Sequence, residues 1–239
     1  MIIKNPVAIK AAFGENPKTV YHAKNQMPIT RMGCVSLIRD ALKKTMEYKV
    51  KLKAKEADFD IKLESLLGVL EKKYPLKCHV HRTDDIFTAI RIAKEFDIDI
   101  TLEHCTEGHL ITEYLKEENL PIMVGPSLCD RSKPELKNLT FETPGILANA
   151  GLCVAIITDH PVVPIQYLSL CGALAVKNGM KQKDALLAIT KNPAKNTGID
   201  KRVGSLKKGK DADIVVFDKH PLELMSIAIL VFIDGKRVK

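Results

Sequence analysis

The sequence predicts an α/β protein built on a parallel sheet, and three observations carry that prediction. Short runs rich in Val, Ile and Leu recur along the chain. Each is followed by a stretch of helical periodicity. The polar residues that interrupt this pattern gather where the apolar runs end. Strands alternating with helices form parallel sheets with right-handed crossovers.

In chain order, "PVAIKAAF" (6–13) is the first expected strand, and a long helical region, roughly 31–72, follows and breaks near "EADFD". "LKCHV" (76–80) reads as the second strand. The helix after it, "TDDIFTAIRIAKEF", carries Ile86, Phe87, Ile90, Ala93 and Phe96 on one face. Thr83 is placed to cap that helix, with two acids in its first turn. "IDITLE" (98–103) is the third strand, and "TEGHLITEYLKEEN" the next helix, with Leu110, Ile111, Tyr114 and Leu115 inward. "PIMVGP" (121–126) is the fourth strand; the loop "SLCDRSKPELKNLTFET" then leads to a short helix near 144–150. "LCVAIITD" (152–159) is the fifth strand, and Pro164 opens the helix "PIQYLSLCGALAVKNG". This makes about five βα units. The tail has another texture: "DADIVVFD" (211–218) and "IAILVFIDGKRVK" (227–239) read as two strands of a small β appendage after about residue 203.

The 239 residues, 46% hydrophobic, suffice for one large domain or a domain with a small appendage. No apolar run is long enough to predict a membrane span. The first eighteen residues lack the cationic head and apolar block of a secretory signal. The six cysteines form no C-x-x-C and suit free thiols in a reducing compartment, so a cytoplasmic protein is expected. The formal charge of +8 comes from dispersed lysines, densest in "KVKLKAKEAD" and "SLKKGKDAD". Nucleic-acid binding on a βα scaffold is one reading of that balance. No stacking aromatics are interleaved with the lysines, so a solvated basic face is the expectation.

Metal-type side chains recur at consecutive strand ends. Glu15 lies beyond the first strand, His79 and His81 at the end of the second, His104 at the end of the third, and Asp159 and His160 at the end of the fifth. In a βα barrel these ends share the face that carries the active site. Alternation places His79 and His81 on one side of their strand. Neutral imidazoles and a carboxylate suit a divalent ion such as zinc with an open position for water. Asp159 then serves as ligand and as proton acceptor. A hydrogen-bonded loop role is the alternative for any one histidine. Arg131, in the loop after the fourth strand, is placed to meet a substrate carboxylate by paired hydrogen bonds, or to stand in solvent. His160 is a second candidate for substrate contact.

"HVHRTDDI", "LEHCTEGH", "ITDHPVVPIQYL", "ALLAITKNPAKNTGIDKRVGSLKKGKDADIVVFD" and "VFIDGKRV" together resemble the amidohydrolase superfamily, and within it the imidazolonepropionase-like and prolidase-like members. The resemblance implies a (β/α)8 barrel of the TIM type with a small β-sandwich. It implies hydrolysis of amide, cyclic amide or related C–N bonds of a small-molecule substrate. The implied cofactor is a divalent metal: zinc, with manganese or iron as alternatives. On this resemblance His79 is the strand-5 ligand, His104 the strand-6 ligand and Asp159 the strand-8 ligand. Glu15 is the candidate for strand 4, and His81 lines the pocket or supports a ligand from behind.

The family's first-strand H-x-H pair has no counterpart here. The expectation is therefore a partial barrel, about the last five βα units, over 1–203, with 204–239 supplying C-terminal strands of a composite β-sandwich. An incomplete enzyme, a non-catalytic remnant or subunit, self-association through the open barrel edge, and an N-terminal partner polypeptide all follow as expectations.

Overall fold

The computed structural model describes residues 2–239. Five strands, β1 (Ile9–Ala12), β2 (Leu76–Val80), β3 (Ile100–His104), β4 (Ile122–Val124) and β5 (Val154–Ile156), form one parallel sheet in that order. Crossover helices cover one face. They are α2 (Arg31–Ala54), α3 (Ile61–Leu70), α4 (Thr83–Phe96), α5 (Thr112–Glu118) and α6 (Thr143–Asn149), while the short α1 (Glu15–His22), just after β1, buries no residue and lends Asn16 to the cavity at the strand ends. Three more, α7 (Leu168–Lys177), α8 (Gln182–Ile189) and α9 (Lys191–Asn196), follow β5. A three-stranded antiparallel sheet, β6 (Ile214–Phe217), β7 (Ala228–Ile233) and β8 (Lys236–Arg237), closes the chain. This is the α/β architecture read from the alternating texture: a partial barrel sheet with a β appendage.

The sheet has two chemically different faces because side chains alternate along each strand. Leu76, Cys78, Val80, Ile100, Leu102, Ile122, Val124 and Val154 share one buried core with Leu42 of α2, Val69 of α3 and Ile86, Ala89, Ile90 and Ile92 of α4. A second core joins Ile156 to Cys171, Ala175, Met180, Ala185 and Ala188 around α7 and α8. The residues of opposite parity include polar ones on the first three strands: Lys10, Lys77 and Glu103 line a cavity of about 430 Å³ on the other face. The in-register pairs Lys10–Lys77 and His79–Glu103 keep that parity across the sheet.

Helix ends explain the breaks. Thr30 caps α2, its Oγ1 accepting from the Gly33 N–H at 3.0 Å. Asp60 caps α3, accepting from the N–H groups of Lys62 and Leu63, so the break near "EADFD" is a helix end and a new start. Thr83 does not cap α4. It is the first helical residue, and its N–H donates to Glu107 Oε2 at 2.8 Å, a cap supplied by the next βα loop. Leu110, expected inward, is 56% exposed. It lies in a 3-10 turn (Gly108–Ile111) before α5, which rotates it off the 3.6-residue stripe.

A candidate metal centre at the strand ends

Strand β2 delivers His79 and His81 to the polar face, two residues apart and 4% exposed each. Strand β3 delivers His104 by a less regular route. In register His104 stands opposite Val80, whose side chain is in the helix-side core. A continuing strand would turn His104 toward the helices. Instead His104 has φ 71° and Cys105 φ 45°. This left-handed backbone, unusual for residues with a Cβ, brings the imidazole to the inner face. Asp159, just past β5, is also left-handed, with φ 49°.

The three rings converge. His104 Nε2 is 2.9 Å from His79 Nδ1, and His81 Nε2 is 3.1 Å from His79 Nε2. One nitrogen from each lies within 4.8 Å of the others. His104 Nδ1 is 2.7 Å from the carbonyl oxygen of Gly125, and His81 Nδ1 is 2.8 Å from Thr106 Oγ1. Burial and the neighbouring imidazoles lower the pKa of His79 to about 3 and of His81 to about 2. Burial lowers that of His104 too, against the Gly125 hydrogen bond and the Asp159 carboxylate. The rings are therefore neutral near pH 7, the state in which imidazole ligates a metal.

Together they line a cavity of about 420 Å³ that also takes in Asn16, Lys133 and Asp159. In tetrahedral geometry two ligands about 2.0–2.1 Å from one ion sit about 3.3 Å apart, and the His79 Nδ1 to His104 Nε2 separation of 2.9 Å is within a few tenths of an ångström of that span. The donor set thus fits a divalent ion.

The profile described as the amidohydrolase family matches residues 8–238. This chain belongs to the amidohydrolase family. An amidohydrolase from Thermotoga maritima MSB8 of solved structure is 45% identical and superposes with a TM-score of 0.95, covering 100% of this chain and 64% of that one. The amidohydrolase tasK of Hapsidospora irregularis is 28% identical over 245 residues, 95% of this chain and 25% of its own length. An imidazolonepropionase of Thermoplasma volcanium is 38% identical over 77 residues, 30% of this chain and 19% of that protein. The chain therefore spans a quarter of the curated relative tasK, and less than two thirds of the Thermotoga structure.

Within this amidohydrolase fold the other residues singled out from sequence are dispersed. Asp159 is exposed at the rim, shared between the histidine cavity and the second cavity of the polar face. Glu15 does not join the histidines. Its carboxylate contacts Lys18 at 3.0 Å and Arg31 at 3.1 Å, and these cations hold its pKa low against the opposing effect of burial. Arg131 is exposed, with Nη2 donating to the Leu139 carbonyl at 2.7 Å. His160 is exposed and its Nδ1 accepts from the Ile165 N–H at 3.3 Å.

Two neighbours escaped the sequence reading. Glu135, in a 3-10 turn of the loop after β4, is fully buried, with Oε1 3.7 Å from His81 Nε2. Arg31, the first residue of α2, joins Asp85, Glu15 and Glu135. No local pattern marks either residue, because their partners lie in other βα units.

Proposed function

We propose that this chain carries a metal-dependent hydrolytic site that cleaves a C–N bond of an amide, cyclic amide or related small molecule. The observation that carries the reading is the pair His79 Nδ1 and His104 Nε2, buried, neutral and 2.9 Å apart at the ends of adjacent parallel strands. His79 and His104 are the proposed metal ligands, with Asp159 completing the set; zinc is the proposed ion. When bound, such an ion supplies Lewis acidity and lowers the pKa of water. Asp159, at the cavity rim, accepts the proton of the attacking water and returns it to the leaving nitrogen. Gly125, through its carbonyl, holds the His104 ring by Nδ1–H and leaves Nε2 as the ligand atom. Lys133, hydrogen-bonded to Asn16 in the same cavity, supplies a cation facing the substrate. Glu15 stands outside this set, engaged by Lys18 and Arg31.

The test is zinc competition against a chromophoric chelator with wild type, His79→Ala and His104→Ala, followed by hydrolysis assays on N-acyl amino acids and cyclic imides. Each ligand variant is expected to lose at least about 100-fold in zinc affinity, and Asp159→Asn to lose about 10²–10⁴ in rate where wild type turns over. Equal zinc binding by wild type and His104→Ala would sink the assignment.

A second reading, a subunit or remnant inactive by itself, is favoured by the sheet. Among the described residues β1 pairs only with β2, and β5 only with β4. We propose that the catalytic form has this ring closed by further strands, from polypeptide outside residues 1–239 or from a second chain.

A further inference from the structure

Glu135 is buried with 0% exposure, and its carboxylate is half used. Oε2 accepts the Glu15 N–H at 2.8 Å and lies 3.5 Å from Arg31 Nη2. Gly14 makes room for it, since a Cβ there would stand 2.2 Å from Oε2. Arg31 is itself held by Nε to both oxygens of Asp85 at 3.1 Å. The carboxylate is thus fixed from α1, α2 and α4. Yet Oε1 has no hydrogen-bond partner, the one buried carboxylate oxygen so placed among the described residues. Leaving a buried acceptor unmade is costly. The group that Oε1 faces is His81 Nε2, at 3.7 Å.

The ring protons explain why Oε1 is idle. The Gly125 carbonyl can only accept, so His104 carries its proton on Nδ1 and a lone pair on Nε2. His79 Nδ1 therefore donates to His104 Nε2, which leaves a lone pair on His79 Nε2. His81 Nε2–H donates to that lone pair, and the Thr106 hydroxyl donates to His81 Nδ1. Every ring nitrogen is satisfied without Glu135. An ion held between His79 Nδ1 and His104 Nε2 changes this. His79 must then carry its proton on Nε2, where it no longer accepts from His81. The exchange moves a proton between nitrogens of one ring and alters no net charge.

We propose that Glu135 is a positioning residue of the loaded centre: its Oε1 takes over the His81 Nε2–H that His79 releases when the ion binds. This rests on His79 and His104 being the ligands. It keeps His81 in one tautomer and leaves the His79 Nε2–H to the cavity, where a substrate or water accepts it. Carboxylates that fix imidazoles around a metal typically contribute 10–100-fold to its affinity.

Two measurements on the full chain test this. Long-range ¹⁵N–¹H spectra of wild type, with and without zinc, should show His79 passing from the Nδ1–H to the Nε2–H tautomer while His81 stays Nε2–H. If His81 switches to Nδ1–H, it is donating to Thr106 instead and the proposal is overturned. The Glu135→Gln variant keeps its oxygen on the Glu15 N–H and turns its amide nitrogen to His81, so no acceptor remains. It should bind zinc 10–100-fold more weakly and shift the visible spectrum of the cobalt form, with Glu135→Asp recovering part of the loss. Unchanged affinity in Glu135→Gln, alongside the expected loss in His104→Ala, overturns the role of Glu135 and leaves the metal site standing. Loss in neither variant removes the site itself. If Glu135→Gln does not fold, the wild-type tautomers still decide.

Discussion

His104 sits in a backbone conformation that most side chains avoid, and the meeting of three imidazoles depends on it. Left-handed φ for a residue with a Cβ costs on the order of 1–3 kcal/mol, which the surrounding packing and the Gly125 hydrogen bond must offset. Burial of the neighbouring rings has a measurable consequence. Folded His79 titrates at about 3 and folded His81 at about 2, below their ordinary value of 6.5. Between about pH 6.5 and 3 the unfolded chain binds more protons than the folded one. Stability is then fully present above pH 6.5 and declines as the pH falls through that window. Urea unfolding of the metal-free protein across this range is expected to show a slope of up to about 1.4 kcal/mol per pH unit for each ring. The His79→Gln/His81→Gln double variant should flatten it; an identical slope in the variant would contradict this account. Histidines ending apolar runs made His79, His81 and His104 visible in sequence. Glu135 was not visible, because its importance comes from a buried position near His81 rather than from its neighbours in "SKPELK".

At the scale of elements, the end of β4 carries more than its three residues suggest. Gly125 has φ 131°, and a Cβ there would lie 2.3 Å from the Ile157 carbonyl oxygen of the neighbouring strand end. Its own carbonyl anchors His104. Gly125→Ala is expected to destabilise the fold by at least about 1–3 kcal/mol, from backbone strain alone, and to weaken zinc binding in parallel. Denaturant midpoints and chelator competition check both, and a variant as stable as wild type would show that the strand end relaxes freely. The five parallel strands and the helices α2 to α7 were legible because burial imprints a period on each. Helices α1, α8 and α9 were not read. The eight residues of α1 bury nothing, so no apolar period exists to find, and α8 and α9 are only two turns each or less.

For the whole molecule the decisive feature is the sheet's two edges, β1 and β5, which pair with no further strand among the described residues. Unpaired edge strands template association. The isolated chain is expected to associate reversibly, with a thermal midpoint that rises with protein concentration. Sedimentation and light scattering across a concentration series check this, and a monomer with a concentration-independent midpoint would argue that the edges are protected. No described helix is long and apolar enough to cross a membrane.

The alternating texture by itself determined the parallel sheet, the β appendage and the strand ends at which His79, His81 and His104 fall. Burial imposes periods of two and 3.6 residues locally, so a linear reading recovers them. Only the tertiary structure decided that Glu15 belongs to Arg31 and Lys18, that a left-handed turn swings His104 inward against its strand parity, and that Glu135 waits beside His81. These outcomes depend on single backbone angles and on contacts between distant βα units, and neither leaves a periodic trace along the chain.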